Sequence, residues 1–410
     1  MKVKRTEQIW IDGNDSLKSL AHVSKNLYNE GNYIIRREFF HNKRWIRYNE
    51  LDRIMKESGG YVQLPAQTSQ QILMLLDKSW KSFFKANREW KKHPGKFIGR
   101  PKPPHYKEKD GEHMLVFTNQ QCCIKDGVLR FPKLMKMEVH TRLEKVNLRE
   151  VRIVPVGTGY NVEIVYEKEV RGQGISKPQR IMGIDVGVRN LVTIGNNISE
   201  RGIAVRAGLL KSINQFYNKE NARLRSINDL QGRKIMTRRL RRLIIKRNHK
   251  IKDIMHKISK SIVEFAMSKD VDTIVIGHND GWKQSVNIGK KNNQNFVQLP
   301  FNILIQQIKY KAGENGITVV IQDESHTSKC SFLDNETVEH HDAYVGKRIK
   351  RGTFMSGNGT LIHADLQASY NIIKKAVPEA FANGIEGIGL FPRSLSIPQF
   401  CGLVTPKGGC

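Results

Sequence analysis

The stretch that most constrains this chain is residues 181–193, IMGIDVGVRNLVT. Apolar residues lead to one acid, Asp185. Gly187 follows two residues later, and a second apolar run begins. A buried strand that carries a single carboxylate, turns and returns as a hairpin partner reads this way. A lone acid in so apolar a strand is costly unless something cationic holds it. A hard divalent metal is the usual reason. An aspartate just ahead of a glycine is also an ordinary turn residue, so the rest of the chain has to decide.

Charge narrows the choice. Lys and Arg number 69 against 39 Asp and Glu, a formal net charge of +30 over 410 residues. Such an excess repels itself unless a polyanion compensates it, and nucleic acid is the first polyanion to consider, ahead of an anionic membrane surface. No window of about 20 apolar residues exists, so nothing is expected to span a bilayer. The first residues, MKVKRTEQIW, lack the apolar core of a secretory signal. The five cysteines (122, 123, 330, 401 and 410) form no CxxC pair, which suggests a reducing, cytoplasmic setting without a disulfide framework. The length allows two or three domains.

In order, residues 1–12 read as one strand and residues 15–92 as helices. Gly59-Gly60 is expected to close the second helix, and Pro65 to open the third. Basic and aromatic residues interleave at Arg36, Arg37, Lys43, Arg44, Trp45, Arg47 and Tyr48. That mix suits phosphate contact with base stacking, and equally a helical bundle with snorkelling basic stems. Residues 93–105, HPGKFIGRPKPPH, form a connector. Short alternating runs follow (MLVFTN, CCIKD, VLRF, MEVH, VRIVPV, YNVEIVYE), as in a small barrel that the first strand would join. Residues 170–180 read as a linker, and residues 208–269 as long basic helices that favour phosphate. Strand candidates 271–277 and 317–324 flank a helix at 300–315, and the second ends in Asp323-Glu324. A polar excursion, 325–359, precedes a helix at 361–375 with Asp365 near its start. The segment after Pro378 is rich in Gly and Pro and reads as disordered.

Two-metal phosphodiester hydrolysis needs at least three carboxylates from separate elements, holding two ions roughly 3.5–4 Å apart. An order of three strands, helix, strand and helix can supply them, with Asp185 first, an acid at a later strand end second, and Asp365 on the closing helix. This is the logic of an RNase H-like fold.

At this point a resemblance emerges. GIDVGVRNLVT resembles the first RuvC motif of the TnpB family, the insertion-sequence-encoded RNA-guided nucleases related to type V CRISPR effectors. DESHTSKCS is similar to the segment before that family's zinc-binding insert, HADLQASYNI to its third RuvC motif, and GRPKPPHYK and LPAQTSQQIL to its N-terminal half. The resemblance implies an α/β multidomain protein, an RNase H-like RuvC nuclease domain with an N-terminal β-barrel (wedge) interrupted by a helical recognition lobe. Its expected parts are the first wedge strand (1–12), the recognition lobe (13–111), the rest of the wedge (112–176), the RuvC domain with its basic helices (177–328), an insert that binds target nucleic acid (329–352), the closing helix (353–378) and the tail (379–410).

The implied function is RNA-guided DNA cleavage beside a short flanking motif, with Asp185, Glu324 and Asp365 holding two Mg²⁺ ions. The implied partners are a guide RNA derived from the transposon end and target double-stranded DNA, with one protein copy per RNA and no membrane, in a prokaryotic cytoplasm. Gln67, Ser69, Gln71 and Asn119 lie in segments that resemble the motif-reading region, and their side chains can bond base edges. Arg238, Arg239, Arg241, Arg242, Lys347 and Arg348 are the further candidate nucleic-acid contacts.

Two departures from the family leave alternatives open. Its usual second acid falls where this chain has Gly277, followed by His278-Asn279-Asp280. A branch that includes the Fanzor relatives uses a relocated glutamate on the next strand, where Glu324 stands. Asp280 is the second candidate, and a nuclease-dead RNA-guided repressor remains open, as does a compact type V CRISPR effector. The insert keeps only Cys330 of the family's usual two CxxC pairs. Structural zinc, which needs four ligands, is not expected. A mixed set of His326, Cys330, His340 and His341 is irregularly spaced.

Overall fold

The structure is a computed structural model that describes residues 2–170, 177–233, 235–279, 289–382, 384 and 387–404. Asp280, part of the expected linker (171–176) and the last six residues lie outside the described residues. The chain divides into two compact units, residues 2–169 and the remainder from 170. No helix among the described residues is long and apolar enough to cross a membrane.

The first unit begins with β1 (Lys2–Asp12), whose residues alternate between exposed and half-buried. Helices α1 (Asp15–His41), α2 (Tyr48–Met55), α3 (Gly59–Val62) and α4 (Ala66–Lys92) follow. Asn14 caps α1 by accepting from the Leu17 N–H at 2.8 Å. Gly59-Gly60 opens α3 instead of closing α2, because Ser58 caps there and its hydroxyl accepts from the Tyr61 N–H. Strands β2 (Leu115–Thr118), β3 (Cys123–Lys125), β4 (Val128–Arg130), β5 (Glu138–His140), β6 (Asn147–Val156) and β7 (Gly159–Glu169) complete the unit. β1 pairs antiparallel with β7 along its whole length, so the chain leaves for the helices and returns to the same sheet. The ladders form two sheets, β1-β7-β6-β2 and β3-β4-β5, and not the single closed barrel expected. Helices and strands share one core: Leu51, Ile72 and Trp80 pack with Phe117, Val151 and Ile164.

After a 3-10 turn at Pro94–Lys96, the chain from 97 to 114 has no regular structure, and α1 supplies hydrogen bonds to it. Lys25 donates to the Lys109 carbonyl at 2.6 Å, Asn29 to that of Lys107 at 3.0 Å, and Asn32 and Arg36 both to that of Pro104 at 3.1 and 2.9 Å. His22 lies 3.2 Å from the Gly111 carbonyl. These side chains recur every three or four residues, one helical face. They satisfy carbonyls that a sheet would otherwise have to satisfy.

The second unit is built on six strands in the order β12-β11-β8-β9-β10-β16. β8 (Ile181–Val186), β9 (Asn190–Asn196) and β10 (Ile203–Arg206) form an antiparallel meander. After α5 (Gly208–Leu230) and α6 (Arg238–Ser268), β11 (Thr273–Gly277) lies parallel to β8. After α7 (Lys290–Gln298) and α8 (Phe301–Glu314), β12 (Thr318–Gln322) lies parallel to β11. β13 (Lys347–Lys350), β14 (Thr353–Met355) and β15 (Leu361–His363) form a small separate sheet, and α9 (Ala364–Ala376) follows at once. Leu361–His363 is therefore strand and not the first turn of the helix. The expected boundary after residue 352 falls inside this small sheet.

The segment expected to be disordered instead closes the large sheet. β16 (Arg393–Ser396) pairs parallel with β10, and α10 (Ile397–Val404) buries Ile397 and Phe400 in the core with α6. Burying such apolar side chains contributes about 1.5–3 kcal/mol each, which orders a tail whose composition alone argues otherwise.

Candidate active site

Period-two alternation sets the position of Asp185. Met182, Ile184 and Val186 enter the core shared with α6 and α8. Ile181, Gly183 and Asp185 point to the opposite face, where α9 lies. α9 packs close there: a Cβ on Gly183 would stand 2.4 Å from the Ser369 carbonyl oxygen, which only glycine avoids. β8 and β11 pair Ile184 with Ile276, so Asp185 stands level with Gly277 at the carboxyl ends of two parallel strands.

Gly277 explains the missing acid. A Cβ there would lie 2.5 Å from Ile372 Cδ1 and 3.2 Å from Glu324 Oε2. The carboxylate of Glu324 thus occupies the ground that a side chain at 277 would take. Gly277 pairs with Gln322 on the next strand, so Glu324 reaches back from two residues further on. Asn279 holds it in place, its side-chain oxygen accepting from the Glu324 N–H at 3.0 Å. The neighbouring Asp323 is turned away and pairs with Lys375 at 3.1 Å.

Asp365 lies in the first turn of α9, where the helix dipole favours a carboxylate. It accepts from Asn190 Nδ2 at 2.9 Å and faces Arg348 of β13 at 3.5 Å. Asp185, Glu324 and Asp365 line one hollow of about 350 Å³ together with Asn279, Thr327, Ser328 and Arg348. Sequence reasoning misses Asn190, Asn279 and the inward turn of Arg348, which it offers only as a nucleic-acid contact. Arg348 also donates to the Arg351 carbonyl at 3.1 Å. Lys347 stays exposed.

Burial, and then the charges of Asp365 and Glu324, push the Asp185 carboxyl well above the usual carboxylate range, with Arg348 pulling the other way. Burial, and then Asp323, raise Glu324 to about 7. Like charges crowded in a poorly solvated hollow are what a bound divalent cation relieves. The all-oxygen donor set suits Mg²⁺. Among the described residues no group of three His, Cys, Asp or Glu side chains is poised to hold one ion. The fit is therefore one of chemistry and place, and ligation requires the side chains to turn inward.

The other expected contacts divide. Ser69 is fully buried and donates to the Tyr61 carbonyl at 2.9 Å, so it cannot reach a base. Gln67 is tied to Gln120 at 2.8 Å and to Thr118, Gln71 is half-buried and Asn119 exposed. Arg238, Arg239, Arg241 and Arg242 are exposed on the opening turns of α6. Trp45 packs on Phe84 at 4.9 Å and joins the core instead of presenting a stacking face.

In the insert, hydrogen bonds occupy the ground of a zinc ribbon. Asp334 accepts from Ser331 Oγ and from the Gly357 N–H, and Glu336 from the Ser331 and Val345 N–H groups. Of the mixed His and Cys set, Cys330 Sγ lies 3.4 Å from the Glu339 carbonyl oxygen and His326 Nδ1 lies 3.0 Å from the Tyr344 hydroxyl.

Comparison with known proteins gives matches in both halves of the second unit's sequence. The family model OrfB_IS605, described as "Probable transposase", matches residues 163–283, and that of the Cas12f1-like TNB domain matches residues 301–372. "TnpB-like protein ORF457" of Acidianus two-tailed virus is 26% identical over 400 residues, covering 88% of this chain and 83% of its own. A Cas12f1 chain solved by cryo-EM with sgRNA and target DNA shares the fold at a TM-score of 0.50 and 13% identity, over 87% of this chain and 81% of that one. Two family matches in chain order, a relative along nearly the whole length and a shared fold agree with the motifs: the chain is similar to the TnpB family along most of its length.

Proposed function

We propose that this protein is an RNA-guided DNA endonuclease of the TnpB type. It would cut guide-matched double-stranded DNA beside a short flanking motif, using an RNase H-like RuvC site. The observation that carries the reading is the grouping of Asp185, Glu324 and Asp365, from a strand, a strand end and a helix, around one hollow in a strongly basic chain. Guide pairing would read the target strand while the protein reads the flank. The guide would come from the transposon end, one protein copy holding one RNA. Gln71 and Asn119 are the remaining candidates for the flank.

In this mechanism the three carboxylates would hold two Mg²⁺ ions, which when bound would activate the attacking water and steady the leaving oxygen. Asn190 fixes the Asp365 carboxylate through its 2.9 Å bond, and Asn279 fixes the Glu324 backbone. Asp323, paired with Lys375, takes no part in the hollow. Arg348 partners Asp365 and brings positive charge to the phosphate that lies over the acids.

The deciding experiment is cleavage of a plasmid library with a guide-matched target and a randomised flank. The protein carries its copurified RNA and Mg²⁺, and is run beside Glu324→Gln. Cutting by the wild type alone is expected. Cutting by both moves the second acid elsewhere, with Asp280 next. Guide-dependent binding without cutting by the wild type would replace the nuclease with a repressor.

A further inference from the structure

Asp185, Arg348 and Asp365 form a wall shared by two hollows. The acidic one contains Glu324. The other, about 410 Å³, has the opposite character and is lined by Arg189, Arg348, Arg351 and His363. Arg189 comes from the turn between β8 and β9, and Arg351 from the turn between β13 and β14. Lys211, in the first turn of α5, is not part of this lining but feels both: after burial, these two guanidinium groups hold its ammonium below the usual lysine range. Gly352 lies beneath them: a Cβ there would stand 4.0 Å from Arg189 Nη1 and 3.9 Å from His363 Nε2, ordinary contact distances.

Arg348 has Asp365 for a partner, but the side chains of Arg189, Lys211 and Arg351 have no hydrogen-bond or ion-pair partner among the described residues. Three cations from three separate elements repel one another, so their convergence does nothing for the fold. It suits an anion with several oxygens, the geometry that guanidinium forks and an ammonium bind best.

We infer that this hollow is a phosphate subsite, in which Arg189 and Arg351, with the charge of Lys211 beside them, hold the phosphate next to the one cut on a single DNA strand. The inference rests on the nuclease reading of the acidic hollow. A strand laid across the shared wall places one phosphate over the carboxylates and its neighbour among the three cations. It is thereby held in one direction. The acids alone attract cations and cannot grip a polyanion, so the basic hollow supplies the grip.

The test uses the guide-loaded protein and matched DNA in which one linkage at a time is a neutral methylphosphonate. In the wild type, neutralising the linkage beside the cut should slow cleavage about tenfold, the effect expected for one charge-assisted hydrogen bond. The triple variant Arg189→Ala, Lys211→Ala, Arg351→Ala should cut natural DNA about tenfold or more slowly, yet suffer nothing further from that linkage. A triple variant that keeps full sensitivity to it overturns the inference and leaves the nuclease intact.

Binding is read separately, by the anisotropy of a labelled eight-nucleotide strand on guide-loaded Asp185→Asn protein. Adding the triple substitution should weaken binding several-fold and lower the salt slope by about 0.7 for each phosphate no longer neutralised. Unchanged affinity and slope overturn the subsite whether or not the wild type cuts. Weakened binding with no wild-type cutting keeps the subsite and removes the nuclease.

Discussion

Two groups of acids in the second unit answer burial in opposite ways. In the insert, Asp334 and Glu336 each accept two hydrogen bonds, three of the four from backbone N–H groups. In the hollow between β8, β12 and α9, Asp185 and Glu324 lie among like charges, and their carboxyls are pushed upward. A carboxylate whose lone pairs are met by backbone donors is part of the fold. One kept from water without donors waits for something the chain does not contain. Donor supply, and not burial, separates Asp334 and Glu336 from Asp185 and Glu324.

The largest expected contrast comes from removing one acid of each kind. Asp185→Asn or Asp365→Asn should reduce DNA cutting by at least about a hundredfold, the upper end for merely outer partners of a metal ligand. Metal-free thermal stability should hold or rise for Asp185→Asn. Asp334→Ala or Glu336→Ala should lower stability by about 1–3 kcal/mol, as backbone N–H groups lose their acceptor, while cutting survives at low temperature. Equal stability losses at both places would erase the contrast.

Second in size is the glycine. Gly277→Asp should not restore cutting to Glu324→Gln, because its Cβ meets Ile372 Cδ1 at 2.5 Å. Adding Ile372→Val, which deletes that methyl, should recover part of the activity. Rescue by Gly277→Asp alone would show that the packing there gives way.

The third contrast is in pH. Glu324 sits near 7 when folded and near 4.5 in its ordinary state, so between those values the folded form binds more protons than the unfolded one. Metal-free stability therefore falls as pH rises from about 5 to 7. Mg²⁺ requires the ionised form, so its stabilisation should grow over the same range. Hydrogen exchange on β8 and α9, with and without Mg²⁺, reads both trends.

The smallest effect on the fold is expected at Arg238, Arg239, Arg241 and Arg242. They crowd the positive end of the α6 dipole, where cations are disfavoured. Replacing all four with Gln should leave stability level or slightly higher. It should reduce the salt slope of nucleic-acid binding by up to about 0.9 for each phosphate these side chains neutralise. An unchanged slope would make this face solvated surface only.

Asp185 is legible in the sequence because a lone acid stands out in an apolar strand, and Asp365 because it opens a helix. Glu324 is reached only through the family resemblance; that its neighbour Asp323 is drawn away depends on Lys375, 52 residues further on. Ser69 could have been excluded: Ile72 and Leu73, three and four residues on, are both fully buried, so strict helical period turns it inward. Arg348 could not, since nothing in KRIK marks one of its basic side chains as the partner of Asp365, 3.5 Å away. The tail misleads through its composition, as Leu395, Ile397 and Phe400 find their partners only once β16 meets β10.

The grip of α1 on the connector bears on how the first unit tolerates change. The helix takes hold of the main chain at Pro104, Lys107, Lys109 and Gly111, and meets side chains at two places, Arg36 over the Tyr106 ring and Lys107 over the Tyr28 ring. Substitutions elsewhere along this stretch should pass with little harm, whereas one inserted or deleted residue would throw every grip out of step. Apart from those two residues the stretch is therefore fixed in length and free in spelling, a ribbon on which new surface chemistry can be written without refolding what lies beneath.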